Sequence, residues 1–228
     1  MKPVVMVHGA WHGAWCWDRV TPLLDAAGVP WVAADLPSCA RAADQAGLAD
    51  DVAEVERLLD ALPGSEPAIV IGHSRGGMVI SDAGAHERAG HLVYLCALLL
   101  EPGVDATAML GATVLPSLRI ADDGTSFVDP SAAAGLFFND CDDADAAWAL
   151  SQLSTMSLGA ASVDPPRRAF AAKPTTYVVC EADAALPAQH QRDMATLANT
   201  VVTWPTGHSP FVNRPDLVAE LLIGLAQG

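Results

Sequence analysis

Short apolar, β-rich segments alternate with longer helical patterns along most of this chain, and that alternation constrains its fold more than any other feature. The apolar segments lack strict polar alternation, as strands covered on both faces do. The predicted strands are 3–7, 30–34, 68–71, 92–95, 176–180 and 200–204. Helical spacing of apolar residues marks 18–27, 48–62 and 215–225. The pattern predicts an α/β fold with a mostly parallel central sheet and helices on both faces.

One segment interrupts this alternation. Between residues 102 and 173 no convincing strand is found, and two helices are predicted at 132–138 and 144–153. The segment is too long for a simple loop. It predicts a small helical cap over one edge of the sheet. The expected organisation is a core formed by 1–100 and 174–228, with a cap insertion at 101–173.

The sequence GHSRG at 72–76 follows the third predicted strand and precedes a helix-compatible segment. It matches the pattern G-x-S-x-G, in which a serine occupies a tight strand-to-helix turn and exposes its hydroxyl. Gly72 and Gly76 leave room for neighbouring backbone, and the helix start supplies free N–H groups. Ser74 is therefore the predicted nucleophile. The alternative is a turn serine that only caps the next helix.

A serine hydroxyl needs a histidine to accept its proton and a carboxylate to orient that histidine. Of seven histidines, His208 follows the last strand and precedes the last helix. Catalytic groups collect at that edge of an open α/β sheet, so His208 is the predicted base. The other six lie in the first loop, beside the serine, near a helix end or in a predicted helix: His8, His12, His73, His86, His91 and His190.

The predicted acid is Asp183, in the loop after the strand at 176–180. The resulting chain order of Ser74, Asp183 and His208 is the order expected for this arrangement. Glu181 is the nearest rival, and Glu101 is a more distant one.

An oxyanion needs two preorganised N–H donors. The first predicted donor is the backbone of Arg75, directly after the serine. The second is the backbone of Ala10, in the small-residue loop after the first strand. The Arg75 side chain could hold a substrate carboxylate or form a structural salt link, and the salt link is favoured.

Four segments carry a wider resemblance: VHGAWHGAWCWDRVTPLL at 7–24, DLP at 35–37, GHSRGG at 72–77 and GHSPFVNRPDLVAELL at 207–222. They resemble the α/β-hydrolase superfamily, and within it the branch of plant methylesterases, hydroxynitrile lyases and related bacterial esterases. The similarity covers the core, and the cap matches only in outline. The resemblance implies a serine esterase with a Ser-His-Asp triad, and with neither cofactor nor metal.

Two other functions remain open. The lyases of this branch resemble the esterases but carry a threonine after the first-strand histidine and a lysine after the catalytic histidine. Here those positions are Gly9 and Ser209, so no cation at 209 would stabilise cyanide. This disfavours a hydroxynitrile lyase but leaves other elimination or lactone-opening chemistry. A non-catalytic receptor of the same fold can keep its triad, so the sequence does not exclude one.

The substrate is expected between the sheet edge and the cap. An apolar wall with few polar groups suits an aromatic or alkyl ester or a lactone. The candidate lining residues are Trp11, Phe137, Phe138, Trp148 and Met156. The alternative, that a residue of this kind is plain core, is the commoner case for each of them.

Composition narrows the possible partners and compartment. A formal net charge of −15 disfavours binding to nucleic acid, which requires clustered Lys and Arg. The sequence contains no run of eighteen apolar residues, so no membrane span is predicted. The N-terminus is interpreted as a first strand rather than a secretion signal. Five scattered cysteines without a CxxC pair suggest neither disulfides nor zinc, so a cytoplasmic location is expected. The sequence does not fix the oligomeric state, and a homodimer is the assembly considered.

Overall fold

A central sheet of six parallel strands organises the chain. The computed structural model describes residues 1–40, 45–101, 103–106, 109, 113–161 and 167–228. The sheet strands are β1 (Val4–Val7), β2 (Trp31–Ala33), β3 (Ala68–His73), β4 (Ala89–Leu95), β8 (Thr175–Cys180) and β9 (Thr200–Trp204). Their order is β2-β1-β3-β4-β8-β9, and every neighbouring pair is parallel. All six predicted strands and the parallel α/β architecture are confirmed.

Helices connect the strands and cover the sheet. They are α1 (Thr21–Ala26), α2 (Pro37–Ala40), α3 (Leu48–Ala61), α4 (Gly76–Ala83), α5 (Pro130–Phe137), α6 (Asp143–Gln152), α7 (Ala188–Ala195), α8 (Pro210–Asn213) and α9 (Pro215–Gln227). Single 3₁₀ turns occur at Ala14–Trp17, Leu115–Ser117, Leu158–Ala161 and Ala169–Ala171. None of the helices in the described ranges combines the length and the apolar character that crossing a membrane requires.

Successive residues of each buried strand enter different cores, because side chains alternate across a sheet. Val4 and Met6 of β1 join the core that contains α1 and α9. Val5 and Val7 join the core that contains α3, α4 and α7. A strand with both faces buried needs apolar residues at every position, which explains why the sequence shows short continuous apolar runs.

The insertion between β4 and β8 differs from the expectation of a helical cap without strands. Helices α5 and α6 are present, but so is a three-stranded antiparallel sheet of β5 (Leu118–Ile120), β6 (Thr125–Val128) and β7 (Met156–Ser157). Each strand has only two to four residues, and an alternation of apolar and polar residues cannot be recognised in so short a segment. The turn before Thr125, where Gly124 has a φ of +79°, closes a hairpin between β5 and β6. The division into core and insertion at residues 101 and 173 stays a prediction.

The parallel sheet determines where the loops gather. Strands β1, β3, β8 and β9 all run in the same direction, so the loops that follow them lie at one edge of the sheet. Ala10, Ser74, Asp183 and His208 belong to these four loops. The insertion contacts the same edge, since the Trp11 indole donates to the Ser126 hydroxyl of β6.

Candidate active site

Ser74 occupies a strained turn between β3 and α4. Its φ is +52°, a left-handed conformation that a residue with a Cβ rarely adopts. Such strain costs on the order of 1–3 kcal/mol and is concentrated at functional sites. The glycines on either side are required by space, because a Cβ on Gly72 would lie 2.6 Å from the Gly76 carbonyl oxygen and one on Gly76 would lie 2.6 Å from that of His8. The turn therefore admits the pattern G-x-S-x-G and few others.

His208 follows β9 and is buried at the sheet edge. Its Nδ1 lies 2.7 Å from Oδ2 of Asp183, in hydrogen-bond contact. Two side chains hold its backbone, because Nε2 of His73 (2.9 Å) and Sγ of Cys96 (3.3 Å) both contact the His208 carbonyl oxygen as donors. The imidazole is thus fixed at its Nδ1 side and at its main chain, which leaves Nε2 as the exchangeable position.

The Asp183 carboxylate is surrounded by donors. Its Oδ1 accepts hydrogen bonds from the N–H groups of Ala185 and Leu186, each at 2.8 Å. Its Oδ2 accepts from the Gln191 side-chain amide at 2.8 Å and contacts His208. These donors fix the orientation of the buried carboxylate.

The two rival carboxylates lie elsewhere. Glu181 is partly exposed and forms an ion pair with Arg192. Glu101 pairs with Arg168 at 2.5 Å, also with both side chains partly exposed. Neither contacts His208 among the described residues, so the geometry favours Asp183 over both.

Ser74 and His208 line one cavity, together with the backbone loop at Ala10. Within the described part of the chain, the Ser74 hydroxyl makes no direct hydrogen bond to His208. In enzymes without bound substrate, catalytic hydrogen bonds are often long and tighten when the substrate binds.

The two expected oxyanion donors face this cavity. Both Ala10 and Arg75 line it, and their N–H groups donate to no acceptor among the residues described. Uncommitted N–H groups beside a nucleophile are what an oxyanion site requires.

The cavity is largely apolar and has a volume of about 100 Å³. Among the described residues, four supply its polar lining: Ser74, Arg75, Ser126 and His208. The Ser126 hydroxyl is already engaged, since it accepts from Trp11 and donates to the Met156 carbonyl. Of the side chains described at the cavity, those of Ser74 and His208 are therefore the polar groups that a bound molecule can use.

Comparison with known proteins identifies the family to which the chain belongs. The sequence profile described as "Alpha/beta hydrolase family" matches residues 4–221. The chain belongs to the alpha/beta hydrolase family. The expectation of an enzyme of this family, similar to plant methylesterases, is confirmed.

Individual relatives share the whole length of the chain. Methylesterase 2 of Arabidopsis thaliana is 25% identical over 251 residues, which cover 97% of this chain and 95% of the relative. Tomato methylketone synthase I, solved in complex with 2-tridecanone, superposes with a TM-score of 0.86 at 24% identity, covering 99% of this chain and 98% of that one. A pyrethroid hydrolase from Sphingobium faniae JZ-2 superposes with a TM-score of 0.83 at 24% identity, covering 100% and 98%. The two structural likenesses establish the fold alone.

Three of the five expected lining residues are at the cavity and two are not. Trp11, Phe137 and Met156 line it. Phe138 is buried one position beyond the end of α5 and is not among the described lining residues, although its ring, like that of Phe137, contacts His12. Trp148 packs edge-to-face on Trp15, with the Arg19 guanidinium over its ring. Substrate contact by all five residues stays a prediction.

The Arg75 side chain forms the structural salt link that the sequence favoured. Its Nη1 lies 2.7 Å from Oδ2 of Asp51, and both side chains are almost completely buried. The Asp51 carboxylate also accepts from the N–H and the hydroxyl of Ser38, and Nε of Arg75 donates to the Ala160 carbonyl. This pair fixes the residue whose N–H is an expected oxyanion donor.

Replacing Asp51 by asparagine is expected to lower the free energy of unfolding by about 3–5 kcal/mol, because the buried Arg75 charge would lose its partner. Urea denaturation measured by circular dichroism checks this. Arg57→Gln is the matched control, because it breaks an exposed ion pair with Glu54 on the same helix and should scarcely change stability. Equal stability of Asp51→Asn and the wild type would contradict a structural role for the pair.

Three potential metal ligands lie close together under the site. Nitrogen and sulfur atoms of His73, Cys96 and His208 are within 4.8 Å of one another. Hydrogen bonding accounts for this grouping, because His73 and Cys96 both donate to the His208 carbonyl. That no metal or cofactor takes part stays a prediction.

Three buried histidines are held neutral. Burial lowers the pKa of His8, His12 and His73, and brings that of His12 from the usual 6.5 to about 3. An unfolded chain protonates these rings as the pH falls through 6.5, whereas the folded chain does not. The unfolded state therefore binds more protons below pH 6.5, so stability is lost as the pH falls.

We expect the contribution of His12 to appear as about 1.4 kcal/mol of lost stability per pH unit between pH 6 and pH 4.5. His12→Asn keeps an amide donor for the Ala10 carbonyl, which the His12 ring contacts at 2.7 Å, but it removes the titrating group. Urea denaturation at several pH values should show a shallower pH dependence for this variant, by about one proton. Parallel curves for the two proteins would contradict the prediction.

Sequence reasoning missed two residues that support the site. Asp51 lies among Leu48, Val52 and Val55 on the apolar face of α3, and a carboxylate on such a face signals a buried partner. Gln191 of α7 contacts Asp183 from a buried position. Its sequence context carries no comparable signal, because polar residues surround it.

Proposed function

We propose that this protein is a serine hydrolase that cleaves a small-molecule carboxylic ester or lactone through an acyl-enzyme intermediate. Ser74 is the nucleophile, His208 the general base and acid, and Asp183 the residue that orients His208. The backbone N–H groups of Ala10 and Arg75 stabilise the oxyanion. The observation that carries the proposal is the buried contact between Asp183 and His208 at the cavity that Ser74 lines from a strained turn.

In the first half of the reaction, Oγ of Ser74 attacks the ester carbonyl carbon as Nε2 of His208 takes the hydroxyl proton. The negative charge that develops on the carbonyl oxygen is stabilised by the N–H groups of Ala10 and Arg75. Collapse of this intermediate breaks the bond to the alcohol oxygen, which leaves with the proton held by His208. In a lactone the same bond breaks, but the alcohol stays attached to the acyl chain.

The second half returns the enzyme to its starting state. His208 removes a proton from water, and the resulting hydroxide attacks the acyl carbon. Collapse of the second intermediate releases the carboxylic acid and returns the proton to Ser74. Asp183 remains ionised throughout and stabilises the imidazolium that forms in each half.

Similarity to relatives supports ester cleavage. The chain is 25% identical over nearly its full length to proteins named methylesterase 1 and methylesterase 2 from Arabidopsis thaliana. These names supply a class of substrate, esters of small alcohols, and the largely apolar cavity suits an apolar acyl group.

The lyase alternative is less well supported. A Cβ on Gly9 would lie 2.9 Å from the Cβ of Ser74, so a threonine would not fit there without a backbone shift. Ser209 places a buried neutral hydroxyl, without a hydrogen-bond partner in the described structure, where the lyases carry a cation. A receptor without catalysis would not need the strained Ser74 turn or two uncommitted N–H groups.

The charge of the substrate is part of the proposal. Arg75 is the only lysine or arginine among the described cavity-lining residues, and Asp51 already neutralises it. A substrate carboxylate would be buried without a free cation, which is costly. The acyl group is therefore expected to be uncharged.

Two matched esters test the proposed function. We expect 4-nitrophenyl hexanoate to be hydrolysed faster than buffer alone, with a kcat/KM at least about tenfold above that of mono-4-nitrophenyl adipate, whose chain ends in a carboxylate. Absence of hydrolysis across a panel of aryl and alkyl esters would overturn the proposal. Equal rates for the two esters would overturn only the expected charge preference. Release of cyanide from mandelonitrile faster than in buffer would revive the lyase alternative.

The expected setting of this activity is also proposed. All five cysteines are free thiols, which supports a reducing, cytoplasmic compartment. A small-molecule ester or lactone is the partner proposed, and no role with nucleic acid or membrane is assigned.

A further inference from the structure

His8, directly after β1, has its two ring nitrogens committed to different backbone groups. Nε2 lies 3.0 Å from the N–H of Leu36, which can only donate. Nε2 must therefore be the acceptor, and the ring proton of the neutral imidazole is on Nδ1. That proton is donated to the Gly9 carbonyl oxygen at 2.8 Å.

The Gly9 carbonyl belongs to the same peptide unit as the Ala10 N–H. A hydrogen bond donated to the oxygen of a peptide polarises the N–H at its other end, because the unit is conjugated. The Ala10 N–H belongs to a cavity-lining residue and donates to no acceptor in the described part of the chain. The His8 side chain thus contacts the carbonyl oxygen of the same peptide unit whose N–H is proposed to bind the oxyanion.

We infer that His8 is a positioning residue for the oxyanion site, in which a fixed Nδ1–H tautomer orients and strengthens the Ala10 N–H donor. This inference rests on the proposed function. His8 touches no reacting atom, so its effect is expected in the transition state rather than in substrate binding.

The surroundings keep His8 in this state. The ring is fully buried, and burial is the main cause of its lowered pKa, although the charges of Asp35 and Asp51 oppose it. Protonation would place an N–H on Nε2 against the N–H of Leu36. The neutral ring is therefore compatible with both contacts, and the charged ring is compatible with only one.

The loop leaves little freedom for an alternative arrangement. The His12 ring donates to the next carbonyl, that of Ala10, at 2.7 Å. The only other contact to the Gly9 oxygen among the described residues is the His12 N–H, at a long 3.4 Å. Two adjacent carbonyls of this loop are thus each held by a neutral histidine, and the stronger contact to Gly9 comes from His8.

Two substitutions at His8 separate its two contacts. Asparagine places an amide near the Nδ1 position, so His8→Asn can keep the bond to Gly9 and lose the bond to Leu36. Glutamine reaches the Nε2 position, so His8→Gln can accept from Leu36 and leave the Gly9 oxygen without its side-chain donor. Each variant loses one buried hydrogen bond, so their stabilities should fall by similar amounts.

Steady-state kinetics on 4-nitrophenyl hexanoate then test the inference. We expect His8→Gln to lower kcat by about tenfold with little change in KM, and His8→Asn to stay within about threefold of the wild type; removal of a whole oxyanion donor costs about 10²–10³. Equal losses in the two variants, or a loss confined to KM, would overturn the inference. An inactive wild type would overturn the proposed function and this inference with it, so the two failures are distinguishable.

The tautomer of His8 can also be measured in the wild-type protein, so the test does not depend on the folding of a variant. Nitrogen-15 NMR of the histidine rings, with His8 assigned, should show a protonated Nδ1 and an unprotonated Nε2 from pH 6 to pH 8. A protonated Nε2, in either the neutral or the charged ring, would overturn the inference, because the ring would then not be fixed as the Nδ1–H tautomer that accepts from Leu36.

Discussion

Replacing Ser74 by alanine is expected to lower kcat for 4-nitrophenyl hexanoate by roughly a millionfold, to the level that binding and oxyanion stabilisation alone provide. The loss is large because Ser74 supplies the atom that attacks the carbonyl, and because the other hydroxyl among the described lining residues, that of Ser126, is already engaged in hydrogen bonds. Alanine keeps the Cβ of the strained turn, so the fold should be retained.

The control for this prediction is Ser151→Ala, an exposed serine in helix α6 of the insertion. It should match the wild type in kcat and KM. Stopped assays at high enzyme concentration are needed to measure the residual rate of Ser74→Ala. Retention of more than about one-hundredth of the wild-type kcat by that variant would contradict nucleophilic catalysis by Ser74.

Replacing Asp183 by asparagine is expected to lower kcat by about ten-thousandfold. The reason lies in the donors around the carboxylate. Oδ1 accepts two backbone N–H groups, from Ala185 and Leu186, so the oxygen of the asparagine must stay on that side. Its NH₂ group then faces Nδ1 of His208, which must become an acceptor and move its proton to Nε2. A protonated Nε2 cannot take the proton of Ser74.

Glu181→Gln is the matched control, because it changes the carboxylate two residues earlier in the same loop. Glu181 pairs with Arg192 at the surface, so its variant should keep a kcat near that of the wild type. A large loss in Glu181→Gln together with a small loss in Asp183→Asn would reassign the acid. Thermal unfolding of both variants should accompany the kinetics, since Asp183→Asn also disturbs the Gln191 contact.

The sequence was sufficient to predict the parallel sheet and the loops that carry Ser74, Asp183 and His208. Strands buried on both faces leave continuous apolar runs, and these can be read without an alignment. Once the strands are parallel, their carboxyl ends share one edge, so residues far apart in the chain are brought together. The turn around Ser74 was equally readable, because only glycine fits at 72 and 76.

The short antiparallel sheet of the insertion was not predicted, because its strands are too short to show a pattern in the sequence. Its strands have two to four residues, and their pairing depends on contacts between β6 and β7, about thirty residues apart. Directions of side chains at a helix end also depend on packing, which is why Phe137 lines the cavity and Phe138 does not. The Asp51 partner of Arg75 required tertiary structure as well, although its place on an apolar helix face was a usable signal.

The proposed mechanism requires Ser74 to form a covalent intermediate with the help of His208. This can be tested by reaction with a fluorophosphonate, a probe that phosphonylates nucleophilic serines and releases fluoride. Mass spectrometry of the intact chain and of its peptides then locates the adduct. We expect one adduct per chain on the peptide that contains Ser74, formed far more slowly in His208→Gln. An adduct on another residue, or ester turnover by a chain that never acquires one, would contradict it.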